Sequence, residues 1–292
     1  MIRAIFTGLA ATFIALPVWA IDIEQVTSPG GITAWLVEDH SIPFVALDIR
    51  FQGGTSLDQP GARGATFLMS GLLEEGAGDL DAQGFAEATE ALAARFSFNA
   101  YRDSIVVDAQ MLTQNRGEAA ALLRQAIVTP AFDAVALERV RGQVLSIIES
   151  DAQNPDEIAA ARFNALTFGN HPYATPQEGT SESVAALTRD DLIAAHHAVF
   201  ARDRVFVGAA GDISAEELGL LLDDLLGDLP AEGAALPGPA PYLLDGGTTV
   251  VPFPTPQSAV YFGQRGLERL DPDFFPAFVL NQIMGAVISG PA

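Results

Sequence analysis

The chain has no cysteine and only four histidines in 292 residues. The first absence excludes disulfides and thiolate zinc sites, so an exported chain of this kind must be held together by burial alone. The second leaves His40, His171, His196 and His197 as the whole supply of imidazole for a metal or a proton transfer. Basic residues are also scarce, 15 Lys and Arg against 37 Asp and Glu, giving a formal net charge of -22. Such a surface repels nucleic acid and anionic lipid. The acids are scattered, which favours a solvated acidic surface over a disordered tail. A phosphate loop is missing, because "GARGA" at 61–65 is not followed by Lys and Ser or Thr. Long apolar runs are confined to the first twenty residues. There one basic residue precedes an apolar stretch that closes on Val18-Trp19-Ala20. This reads as a signal peptide, residues 1–20, cleaved after Ala20, and it is short for a spanning helix. The expectation is an exported chain with no membrane insertion.

What is present is an orderly alternation of elements. Residues 23–51 carry strand patterns, with "TAWLVEDH" and "FVALDIRFQGG" alternating or running apolar between turn residues. Helical patterns cover 63–75 and 81–94, and Asp81 stands where a helix N-cap is needed. Period two returns in "FSFNAYRDSIVVDAQML", residues 96–112, with Arg102-Asp103 at the hairpin turn. Helices follow at about 114–128, 133–152 and 156–168, with Pro130 and Pro155 at their boundaries. Then come a helix near 188–200, the strand "RVFVGAAG" and a helix near 214–227. Residues 229–243, "LPAEGAALPGPAPYL", read as an extended linker. Beyond it "TTVVPF" and "SAVYFGQRG" read as strands and 271–286 as a helix.

Residues 154–214 carry a recognisable sequence pattern. A Pro-led helix runs into His171-Pro172-Tyr173, then Gly179-Thr180, Ser183-Val184, Leu187-Thr188 and Gly211-Asp212. Together with the order of elements, this resembles the pitrilysin/insulinase-like (inverzincin) zinc peptidases. The resemblance implies an α+β fold, a mixed or antiparallel sheet with helices on one face, forming half of a clamshell. It divides the chain into an inactive peptidase-like unit at 21–228, the linker at 229–243, and an incomplete second unit at 244–292.

Active members of that family carry H-x-x-E-H on a helix, two zinc ligands and a general base, with a distal Glu completing the set. Aligning the flanking glycines on Gly64 and Gly76 puts the five motif positions on Phe67, Leu68, Met69, Ser70 and Gly71. The histidines are thus Phe67 and Gly71, the base is Ser70, and the distal Glu falls on Ile147. A slip of one residue offers Thr66, Met69 and Ser70, which rescues nothing. The resemblance therefore implies a non-catalytic homologue with no zinc of its own. Its expected partner is an active zinc-peptidase homologue in a periplasmic heterodimer that encloses peptide. It also implies that Asn99, Ala100 and Tyr101 hold an extended peptide by strand addition. An ordinary amphipathic hairpin is the equally weighted alternative there. The family's substrate-gripping Arg and Tyr fall beyond "NQIMGA", after which the chain stops, so a truncated form is expected. The rival readings are a free-standing envelope binding or scaffold protein and, last, an active zinc endopeptidase.

Other candidates weigh less. Glu74 and Glu75 form a carboxylate pair in sequence, but adjacent helical positions diverge by about 100°, so an exposed helix end is expected. His196 and His197 diverge for the same reason and are expected at the surface or in core packing. His171 precedes a proline in a structural loop. His40, between two strands, could bind a metal only with partners the sequence does not reveal.

Overall fold

The computed structural model describes residues 22–283. The expected leader, residues 1–20, and the end of the chain lie outside them. A six-stranded mixed sheet forms in the order β1-β2-β8-β3-β7-β6. Its members are β1 (Glu24–Thr27), β2 (Thr33–Glu38), β3 (Phe44–Gln52), β6 (Arg95–Ala100), β7 (Ser104–Leu112) and β8 (Val205–Gly211). The β2–β8 pair is parallel and the others are antiparallel. In β3 the alternation is complete: Val45, Leu47, Ile49 and Phe51 are buried, while Asp48, Arg50 and Gln52 face solvent. A strand with this period can bury only one face, so the helices gather on that side. The other face keeps Trp35 and Phe206 about half exposed.

The covering helices include α1 (Ala65–Leu72), α3 (Arg116–Val128), α4 (Ala134–Asp151), α7 (Arg189–Val199) and α8 (Ala215–Leu226). Buried leucines of α3 and α8 (Leu122, Leu123, Leu218, Leu222, Leu225) fill the layer between helices and sheet. Helix starts are set by local chemistry. Asp81 accepts from Gly84 N–H at the start of α2 (Ala82–Ala91), as expected. Thr188 and Ser214 make reciprocal capping boxes for α7 and α8, and Thr180 makes one for α6 (Ser181–Ala186). Between α1 and α2 lies a two-residue ribbon, β4 (Gly76–Ala77) with β5 (Leu80–Asp81).

Two expectations fail. The helix read as 63–75 ends at Leu72, so Glu74 and Glu75 lie in the turn after it, and Glu75 pairs with Arg139 of α4. The segments "TTVVPF" and "SAVYFGQRG" form no strand. Period two marks a face that can be buried, but a strand also needs a neighbour with free backbone groups. Here the segments lie instead beside α5 (Pro155–Phe168), where Tyr261 packs on Phe163 with ring centroids 5.0 Å apart and Leu243 N–H donates to Thr167 O at 2.9 Å. Along α5 only Thr167 is fully buried, and its apolar side lines a cavity of about 520 Å³ shared with residues 242–263. The final helix, α9, begins at Phe274 rather than 271. No described helix is long and apolar enough to cross a membrane.

Candidate functional site

Helix α1 is fixed at its N-terminus by a residue well upstream. Gly64, its N-cap, has φ 89° and offers no side chain. The carboxylate of Asp58 takes over, accepting from Gly64 N–H (2.8 Å), Thr66 N–H (3.0 Å) and Thr66 Oγ1 (2.6 Å). Asp58 is buried, and burial pushes its carboxyl up while these three bonds hold it down. A side chain at Gly64 would meet Glu178 O at 2.3 Å, and one at Gly179 (φ 86°) would meet Arg63 O at 2.5 Å. The two backbones can touch only because both are glycine. Ser183 Oγ adds a bond to Arg63 O at 2.8 Å. The Gly179–Ser183 stretch is therefore the support that aims α1.

The positions assigned to zinc ligands lie on that helix and on α4. Phe67 is half-buried and packs against the core. Ser70 is buried, and its hydroxyl donates to Phe67 O at 2.8 Å in its own helix. Gly71 is itself exposed, and a Cβ there would stand 3.2 Å from Val140 Cγ1 on α4. Ile147 shares the α4 face of Val140 and Val144, but it sits two turns beyond Val140, roughly 10 Å along the axis, and is 42% exposed. The residue over Gly71 is thus Val140, not Ile147. A zinc ion does not fit this set, since phenyl, glycine and aliphatic groups offer it no lone pair. Among the described residues no three His, Asp or Glu come together to hold a metal ion.

Beside α1 runs β6, and the two pack directly. This strand is the last in the sheet order, so among the described residues its outer edge carries no partner strand. Asn99 is exposed and donates to Ser97 Oγ at 3.3 Å, and Tyr101 is exposed at the strand's end. An open edge offers N–H and C=O groups to an added strand. The arrangement is an edge next to a helix with no catalytic groups, chemically able to hold an extended chain but not to activate water.

The profile described as insulinase (peptidase family M16) matches residues 33–181, and the peptidase M16 inactive domain matches 186–292. The chain belongs to the M16 family. Among its M16 relatives is the non-peptidase homolog YmxG of Helicobacter pylori, 27% identical over 98% of this chain and 66% of that protein. The uncharacterized zinc protease YmxG of Bacillus subtilis is 23% identical over 91% of this chain and 65% of its own length. The crystal structure of the peptidase M16 inactive domain from Pseudomonas fluorescens superposes with a TM-score of 0.71 at 27% identity, over 75% of this chain and 54% of that one. The chain spans about two thirds of the length of these curated relatives. At the aligned motif positions it carries Phe67, Ser70, Gly71 and Ile147.

The histidines take no part in an M16-type metal set. His196 is 5% exposed, its Nε2–H donates to Ile127 O at 2.8 Å, and its ring stacks on Phe200 at 4.7 Å. Burial brings its pKa down to about 4, against the bond to Ile127. His197, the next residue, is exposed. His171 accepts from Tyr173 N–H at 3.3 Å and donates to Gly238 O at 3.1 Å. His40 does find partners that the sequence hid: Asp212 on Nδ1 (2.6 Å) and Glu38 on Nε2 (2.7 Å). They sit on opposite ring nitrogens, so one ion cannot take all three. The bonds to Asp212 and then Glu38 raise the His40 pKa. Its folded value therefore lies above the unfolded one. The stabilisation is complete below the ordinary value of about 6.5 and is lost as pH rises through the folded pKa. An NMR titration should place His40 above its ordinary value, and Asp212→Asn should lower it.

Proposed function

We propose that this chain is the non-catalytic partner of an active zinc peptidase of the same family, exported to the periplasm, where it binds and encloses peptide without hydrolysing it alone. The observation that carries the reading is the juxtaposition of an open β6 edge with an intact α1 whose ligand positions hold no metal-binding side chain. Random loss of a catalytic site strands unpaired imidazoles and carboxylates, which are costly when buried. Here no imidazole or carboxylate is left at those positions, and Phe67 packs against the core, as expected of a helix kept for its shape. On this reading Asn99, Ala100 and Tyr101 form the strand to which a peptide adds, and zinc belongs to the partner alone. On the same reading the linker at 229–243 separates a first unit from a second, homologous one.

Isolation of the native complex from the periplasm tests the partnership. A zinc-bearing homologue in equal amount supports it. A chain recovered alone favours a free-standing envelope binding protein. The register of the vacated site has its own test. Phe67→His, Ser70→Glu, Gly71→His and Ile147→Glu, combined with Val140→Ala to clear the 3.2 Å approach, should bring measurable zinc binding carried by the two histidines. Position 147, two turns from Val140, is the weaker third ligand. Retaining Val140 should weaken that binding. Peptidase activity is a further step, since it also needs groups that orient the ligands. A folded variant that binds no more zinc than its parent would show the alignment to be wrong.

A further inference from the structure

The β6–β7 hairpin tip is pinned from two sides. Backbone N–H groups of Gly53, Thr55 and Ser56 donate to Asp103 O, Tyr101 O and Arg102 O at 2.7, 2.9 and 2.8 Å. On the other side stands the loop after α5. The Tyr173 hydroxyl donates to the Asp103 carboxylate, and the Arg102 guanidinium donates to Tyr173 O (3.0 Å) and Thr175 O (3.3 Å). Burial, with the Asp103 bond, raises the Tyr173 pKa, which keeps the hydroxyl a donor. The Tyr173 ring meets Phe168 and His171 edge-on at 5.5 and 4.6 Å. A single neutral tautomer of His171 then satisfies both its bonds, accepting from Tyr173 N–H at Nδ1 and donating from Nε2 to Gly238 O. Direct contacts thus run from the tip through Tyr173 and His171 to residue 238. The first half of the linker is tied elsewhere, by Ala234 N–H to Ala198 O and Arg202 N–H to Pro230 O.

We propose that Tyr173 and His171 are positioning residues that couple the β6 edge to the 238–243 segment, so that a peptide on the edge orders that segment. The peptide half of this statement rests on the reading of β6 given above; the coupling does not. Both substitutions that test it are one-sided. His171→Ala removes no hydrogen bond or ring contact to β6 or its hairpin, and the Asp103 carboxylate is hydrogen-bonded to Tyr173 and not to the linker. Hydrogen exchange on the full chain should show His171→Ala speeding the Thr55 and Tyr101 amides. Asp103→Ala should speed the Leu243 amide, each by about threefold or more as local opening becomes easier. Core amides such as Leu123 should not change. Tyr173→Phe, which keeps the ring, should loosen the tip and Leu243 to a smaller degree and serves if either alanine variant fails to fold. Effects confined to the substituted side would overturn the coupling. Titration of the unsubstituted chain with a Val-Thr repeat peptide separates the two halves. No protection of β6 would sink the peptide reading and leave the exchange result standing, whereas protection of β6 without Leu243 would sink the coupling.

Discussion

Between pH 6.5 and 4 the folded chain should lose about 3 kcal/mol of stability through His196 alone, the size expected when a pKa falls to about 4 from 6.5. The folded value lies below the unfolded one, so the unfolded chain binds the extra proton throughout that window. Stability is therefore fully present above pH 6.5 and is lost as pH falls towards 4. The cause is burial against Phe200 and Phe132, where an imidazolium would have no water. Carboxylates titrate in the same range, so the difference between the chain and His196→Phe is the informative quantity. Urea unfolding at several pH values should show a slope that is shallower in His196→Phe. That variant should also be less stable at pH 7 by about 1 kcal/mol, because Ile127 O loses its donor. Parallel pH profiles for the two proteins would contradict the account of His196.

Asp58→Ala should cost about 3 kcal/mol. Two backbone N–H groups at the start of α1 and the Thr66 hydroxyl lose their common acceptor in a buried place, and each unsatisfied group costs about 1–3 kcal/mol, less what water recovers. Asp58→Asn should cost less but not nothing: its amide oxygen can still serve Thr66, while its NH2 group would face the Gly64 N–H. Thermal unfolding of the three proteins measures the order. If Asp58→Ala matched the parent, the carboxylate would not be what fixes the helix on which the vacated site sits.

The sheet was legible because β3 and β6 alternate, as does β7 from Val107 onward, and all face one core. The capped helix starts at Asp81 and Pro155 were legible for an equally local reason. The signals that failed are non-local. Asp58 caps a helix from outside it, and nothing in the spacing of "SLDQPGARGAT" announces that. His40 meets Asp212 across the sheet, a pairing set by the parallel register of β2 with β8. The segments 248–253 and 258–266 have the alternation of strands, but alternation specifies a face and not a hydrogen-bonding neighbour. At the vacated site the identities of Phe67, Ser70 and Gly71 could be read directly. The approach of Val140 to Gly71 could not, because it depends on how closely α1 and α4 pack.

The central claim, a zinc-peptidase fold carrying no zinc chemistry of its own, is tested most directly by metal analysis of the purified chain after dialysis, with a peptidase assay on the same sample. The account predicts no stoichiometric zinc and no cleavage, with or without added zinc. One zinc per chain, lost on chelation together with a peptidase activity that zinc restores, would contradict it.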